Sequence, residues 1–304
     1  MAEELGLIII YNHKYVKNID ILEKIYKGRF SNIYHIVPFY DGDKANVIAV
    51  YESSYYFQGY IAQAFKSFFE ERFKHYFFIA DDMIINPLIN ENNYREIFKL
   101  DDASGFISEL DPMPGKNWPH NRAAVMYDPY KAGVEIKNEI PAKEDAKKMI
   151  ESLNVQNGKY SIKEIYFAGH GLNIKKLALQ TIKYLYDRYV MKTDYSGSSY
   201  PFVRAYSDIF IISAKNVKKF IHYCGAFAAT DLWVEVAIPT ALVLCGENIV
   251  TQDKLNLQGR PLWSAEDYKL LDTFNYNLKN LLDNFPENYI YLHPIKLSKW
   301  KVEI

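Results

Sequence analysis

The sequence predicts an α/β fold with a Rossmann-like, mainly parallel central sheet flanked by helices. Three observations predict it. Tyr76-Phe77-Phe78-Ile79-Ala80 is a continuous apolar run, as expected of a parallel strand covered on both faces, and it leads straight into Asp81-Asp82. Ahead of it, short apolar runs alternate with stretches of helical spacing, the pattern of right-handed βαβ units. The chain has 304 residues, enough for one large α/β domain with a full core.

The elements follow in order. Residues 6–12 read as a first buried strand, Gly-Leu-Ile-Ile-Ile ending in Tyr11-Asn12. Ile19, Ile21, Leu22, Ile25 and Tyr26 keep helical spacing and predict a helix over 18–27. A second strand, 32–38, is closed by the turn Tyr40-Asp41-Gly42-Asp43, and 45–51 reads as a third. Tyr60, Ile61, Ala64, Phe65 and Phe68 predict a long helix over 56–73 that delivers the chain to the acidic strand. Residues 101–160 are less regular: 111–119 is a proline- and glycine-rich loop, and 142–153 a surface helix. Further on, 162–171 reads as a short strand ending in His170-Gly171, and 173–189 as a helix. A polar edge from Ala205 feeds a strand through Ser213, and 216–223 is helical. Thr230 caps a helix carrying Asp231 and Glu235, and 289–292 is a last short strand before His293. One domain over 1–304 is expected, with a ligand-binding half at 1–100, an irregular insertion at 101–160 and a second half at 161–304.

Composition narrows the partners. The net charge of -1 removes the basic surface that a nucleic-acid partner would need. Two cysteines, Cys224 and Cys245, make neither a disulfide framework nor a metal-ligand pair, which favours a reducing compartment. The apolar run 7–10 is too short for a signal peptide, and no run is long enough to span a bilayer. A cytoplasmic protein is expected, with peripheral contact at the inner face of a membrane left open.

Four groups of residues carry candidate chemistry. Asp81 and Asp82 close a buried strand, where open α/β sheets bind ligands. Two hard oxygen donors there suit Mg2+ or Mn2+ that also holds a diphosphate; the alternative is an acidic turn without metal. The chain has neither a Gly-x-Gly-x-x-Gly turn nor a Gly-x-x-x-x-Gly-Lys-Ser/Thr loop, so a bound nucleotide needs another anchor for its phosphates. Asp231 and Glu235 are spaced to share a helix face, and a carboxylate desolvated on an apolar helix moves toward general-base range. His293, Lys296 and Lys299 follow the last strand, a histidine ligand with two cations for phosphate oxygens. Finally, His170 after a strand resembles the histidine block of caspase-like cysteine peptidases, with Cys224 or Cys245 as partner; the alternative is a glycine turn carrying an incidental histidine.

Together, the acidic strand end, the helix acids and the terminal histidine and lysines resemble the glycosyltransferases of the GT-A fold. Ala80-Asp81-Asp82 is similar to that family's Asp-x-Asp or x-Asp-Asp motif. The resemblance implies metal ligation by Asp82, contact to ribose or donor sugar by Asp81, and contact to the nucleotide base at Tyr11-Asn12. It implies that Asp231 and Glu235 act as the base or contact the acceptor. The tail resembles, more distantly, the His-x-x-Gly-x-x-Lys-Pro-Trp motif of glycogenin-like retaining transferases. His293, Lys299 and Trp300 carry that match, while Lys296 stands in place of the glycine and the proline is absent. The implied activity is Mn2+- or Mg2+-dependent transfer of a sugar from a nucleotide-sugar donor, with a UDP-sugar favoured. The implied acceptor is a glycan or lipid-linked glycan, as in cell-surface polysaccharide synthesis. A caspase-like peptidase and a non-catalytic GT-A-like binding module are the alternatives.

Overall fold

The computed structural model describes residues 4–116, 118, 120–129, 135–168, 173–192 and 200–303. Its strands are β1 Leu5–Ile10, β2 Ile33–Pro38, β3 Val47–Val50, β4 His75–Ala80, β5 Ile84–Ile85, β6 Ser104–Ile107, β7 Asp111–Pro112, β8 Val203–Arg204, β9 Ile209–Ser213, β10 Asn248–Thr251, β11 Gln258–Pro261 and β12 Tyr289–His293. Its helices are α1 Lys17–Tyr26, α2 Phe57–Phe68, α3 Tyr94–Ile97, α4 Asn121–Val125, α5 Lys143–Glu151, α6 Ile174–Tyr189, α7 Ala214–Ala229, α8 Val234–Leu244, α9 Ala265–Asp272 and α10 Leu278–Asp283.

The central sheet has the order β10-β6-β9-β4-β1-β2-β3. Strand β9 runs antiparallel to both neighbours, and all other pairs are parallel. A three-stranded sheet, β11-β12-β5, and a β7-β8 pair complete the strands of the described residues. Every residue of β1 and β4 is buried, because the sheet is covered on both faces. Alternate residues serve the two cores. Ile8, Ile10, Tyr76 and Phe78 pack into the core that holds α2, α7 and α8. Leu7, Ile9, Phe77 and Ile79 face α1 and the small sheet.

The α/β class and the mainly parallel sheet are as the sequence predicts, and several local elements differ. The segment expected to be an irregular insertion supplies β6, which pairs with β9 and β10 inside the main sheet. Helix α2 stops at Phe68, where Phe69 turns extended (φ −71°, ψ 125°), short of the predicted 73. Helix α7 extends beyond 216–223 at both ends. The strand predicted over 162–171 does not form: Lys163–Phe167 is a π-helical turn. Ser161 and Glu164 explain it. The Glu164 carboxylate accepts from Ser161 N–H at 3.1 Å, while Glu164 N–H donates to the Ser161 hydroxyl at 3.2 Å, a capping box that starts a helical turn. His170 and Gly171 lie outside the described residues.

Thr230 does not start a helix either; it ends α7. Asp231 takes a left-handed conformation (φ 58°). Its N–H donates to the Ala228 carbonyl at 3.1 Å, and Leu232 N–H donates to that of Phe227 at 3.0 Å. This is a Schellman ending, and the buried Leu232 is the apolar residue that usually anchors one. Helix α8 begins only at Val234. Asp231 and Glu235 therefore share no helix face.

Candidate functional site

Parallel strands β1 and β4 end at one edge, at Ile10 and Ala80. Asp81 N–H donates to the Ile10 carbonyl at 2.9 Å, so the first acid stays in register with the sheet. Its side chain is 2 % exposed and accepts from Asn18 Nδ2 at 3.0 Å. Because β9 runs the other way, its beginning, not its end, reaches this edge. Ala80 N–H donates to the Asp208 carbonyl at 2.9 Å, which sets Tyr206-Ser207-Asp208 beside the two aspartates. Asn12, Phe57, Ala80, Ser207 and Asp208 line a narrow crevice there.

The small sheet supplies the histidine. β5 begins two residues after Asp82 and pairs antiparallel with β12, placing Leu292 opposite Ile84. His293 thus meets Asp82, Nε2 to Oδ1 at 2.8 Å, and Ile295 N–H donates to the Asp82 carbonyl at 2.6 Å. The Tyr206 hydroxyl contacts the other ring nitrogen, Nδ1. Burial alone would lower the His293 pKa, but its hydrogen bond to Asp82 and the charges of Asp208, Asp82 and Asp81 outweigh it, so the pKa is raised. As an imidazolium, His293 donates to Asp82 and to Tyr206, and the Tyr206 hydroxyl bonds in turn to Asp208.

Carboxylates crowd this edge. Burial, then the Asp82 charge, push Asp81 up to about 7 against the pull of Asn18 and the Asn12 backbone. Asp208 is raised by burial, and Asp82 adds to the shift. On the far side, burial and the Asp208 charge push Glu235 up to about 7, against a hydrogen bond from Trp233 and the charge of Arg204. Asp208 therefore acts on both His293 and Glu235. Glu109, just past β6, is raised by burial and by Asp111.

A proline holds Glu235 in place. Pro239 has no N–H, so the carbonyl four residues earlier, that of Glu235, lacks its helical partner. It accepts instead from Ala205 N–H at 3.1 Å, tying the first turn of α8 to the segment between β8 and β9 that carries Asp208. The neighbouring Arg204 Nε is a buried donor with no hydrogen-bond partner, and Trp233 Nε1, buried beside Glu235, meets it only in poor geometry.

The residues expected from the sequence are thus partly assembled. Asp81, Asp82, Asn12 and His293 come together. Glu235 joins them through Asp208. Asp231 is exposed, and the charges that act most strongly on Glu235 are Asp208, Arg204 and Glu109. Tyr11 is fully buried, with its hydroxyl 2.9 Å from His35 Nδ1, while His35 Nε2 meets Glu23 at 2.9 Å. Its side chain belongs to the core on the α1 side, and the strand end is represented by Asn12. Lys296 and Lys299 are exposed around a 3-10 turn and make no ion pair with a described residue. Cys224 lies buried inside α7, and Cys245 closes α8, so neither stands at a strand end. Burial raises both thiols, away from the thiolate a nucleophile needs.

Sequence reading missed Tyr206 and Asp208, because an antiparallel strand start carries no apolar run leading into an acid. It also missed Trp263, which is 66 % exposed and stands edge-on to Tyr206 and His293.

Among the described residues, no three His, Cys, Asp or Glu side chains converge at metal-ligand spacing. Asp82 and His293 offer two donors, one hard oxygen and, once it has lost the proton it holds toward Asp82, one imidazole. Mg2+-type ions keep several waters and take the rest of their shell from phosphate, so two protein donors fit such an ion with a bound diphosphate. The mutually raised acids around them fit a site that gains from added positive charge.

The raised Asp81 has a consequence for stability. Its folded pKa, about 7, lies above the ordinary 3.8, so burial costs nothing below pH about 4 and stability falls as pH rises toward 7. Asp81→Asn removes that penalty. The unliganded variant should be more stable than wild type at pH 8, by on the order of 1–4 kcal/mol, with no gain at pH 4. Urea unfolding at the two pH values checks this; an equal effect at both would remove the assignment.

No protein-family model matches the chain, and no curated protein matches it.

Proposed function

We propose that the chain is a metal-dependent glycosyltransferase of GT-A type, acting from a nucleotide-sugar donor, UDP-sugar favoured, on a glycan or lipid-linked glycan acceptor at the cytoplasmic side. The observation that carries this reading is the pairing of Asp82 with His293, 211 positions apart, at the carboxyl edge of the sheet, with Glu235 poised beyond Asp208. A separate small sheet exists in part to make that pairing, through β5 and β12.

Asp82 and His293 would hold Mn2+ or Mg2+, which when bound neutralises charge on a departing nucleoside diphosphate. Lys296 and Lys299, exposed three and six residues beyond His293, would supply positive charge to the leaving diphosphate. Asp81, fixed by Asn18 and the Asn12 backbone, orients the ribose or donor sugar. Trp263 offers an exposed ring beside His293 for stacking on the base or sugar. Glu235 takes the proton of the acceptor hydroxyl, because a carboxylate near pKa 7 is both ionised and basic at neutral pH. With Glu235 as base, the transfer inverts the sugar.

Thermal unfolding with a panel of nucleoside diphosphates, with and without Mn2+, tests the reading. A ligand that binds only the native state raises its apparent stability. One nucleotide is expected to shift the midpoint by several degrees, only with Mn2+, and the shift is expected to vanish in His293→Ala. No shift with any nucleotide would sink the donor site.

A further inference from the structure

Helix α6 is amphipathic the wrong way round. Its buried side chains are polar, Gln180 and Asp187, and no apolar side chain of the helix is buried. Its outward stripe is Ile174, Ala178, Ile182, Leu185 and Tyr189, at helical spacing on one face. Ile174 is 83 % exposed, Ile182 63 % and Tyr189 67 %. A surface helix normally buries such a stripe. Here the inversion is built in. Arg122 of α4 forks onto Asp187, Nε to Oδ2 and Nη2 to Oδ1, both at 2.7 Å, and the Tyr166 hydroxyl donates to Oδ2 at 2.6 Å. That clamp turns the polar edge inward and leaves the apolar face outward.

Charge identifies the occupant. Lys175 and Arg188 border the stripe, Lys176 and Lys183 lie on the flank toward Asp187, Lys192 follows the helix, and the only acid between 173 and 192 is the clamped Asp187. A second copy of this chain, paired face to face across a two-fold axis, would bring cations against cations. An anionic lipid surface complements both the cations and the apolar stripe. At 16 residues the helix is about 24 Å long, suited to lying in the interface plane, and no helix among the described residues is long and apolar enough to cross a membrane.

We propose that α6 is a membrane-surface helix, its outward apolar stripe entering the interface of an anionic lipid layer and its flanking cations resting on the headgroups. Helix α6 is tied to the neighbourhood of the candidate site through α4: Arg122 holds α6, and His120, just before α4, stacks on Trp233 at 4.6 Å, two residues from Glu235. Docking of α6 does not rest on the transferase reading.

Sedimentation of the full chain with vesicles tests the proposal without nucleotide or turnover. Phosphatidylcholine vesicles containing about 30 % phosphatidylglycerol are compared with pure phosphatidylcholine at about 0.1 M salt. The chain is expected to partition at least about tenfold more strongly onto the anionic vesicles, and about 0.5 M salt should release it. Ile182→Asp, at a solvent-facing position, is expected to weaken partitioning about tenfold or more with unchanged circular dichroism and melting temperature. Lys175→Glu, at the border of the stripe, should weaken the preference for anionic lipid. Absence of binding by the wild type, or equal binding by Ile182→Asp, overturns the proposal. So does a lipid-free, concentration-dependent dimer that Ile182→Asp disperses, because the occupant would then be a second copy.

Discussion

Asp82→Asn should leave the chain folded and lower divalent-dependent sugar transfer on the order of 10³-fold or more. The substitution keeps one oxygen to accept from His293 Nε2, 2.8 Å away, so the local geometry has no reason to collapse. What it removes is a full negative charge. The His293 pKa, held up by that carboxylate, should fall with it. Two readouts follow: initial rate with a nucleotide sugar and Mn2+, and the pH titration of the His293 ring by NMR. Full turnover in Asp82→Asn, with the histidine titration displaced as expected, would show that the pair forms but does not serve the reaction.

Glu235→Gln should lower kcat/KM by about 10²–10⁴-fold, the usual contribution of a general base. The pH profile is the sharper test. A base must be deprotonated to act, so the wild-type rate should rise with pH through about 7 and level off above it. An ordinary glutamate would already be level by pH about 6. Glu235→Gln should lose this limb, and Asp208→Asn should move it to lower pH, because burial and the Asp208 charge are the two largest causes of the shift. A limb that stays at pH 7 in Glu235→Gln would assign it to another group, with Asp81 the first to test.

The legible parts of this fold are those whose physics is local. The run 76–80 reads as a parallel strand because five successive apolar residues need cover on both faces, and Asp81-Asp82 then mark its end. The parts that were not legible depend on partners remote in sequence. Nothing near Asp208 says that β9 would run antiparallel and carry its first residues to the β4 edge; that is decided by pairing with β4 and β6. Ser161 and Glu164 form a capping box that was legible, yet the apolar run behind it suggested a strand. Thr230 shows the converse error. It is a good helix starter by residue type, but the left-handed Asp231 makes it the last residue of one helix. The resemblance implies a base contact for Tyr11, and its partner His35, on the neighbouring strand, draws it into the core.

The joining of Asp82 to His293 also bears on how the protein is made. Chains emerge from the ribosome at about 5–20 residues per second, so the 211 positions between these partners take roughly 10–40 s to synthesise. During that interval β1, β2 and β4 can already pair, with two adjacent aspartates at their edge and no counter-charge from His293. The nascent sheet would therefore carry its least favourable electrostatics until β12 docks on β5. Activity should appear late and abruptly during translation, as a property of the chain through His293, and chaperone contact should be longest while that edge waits for its histidine.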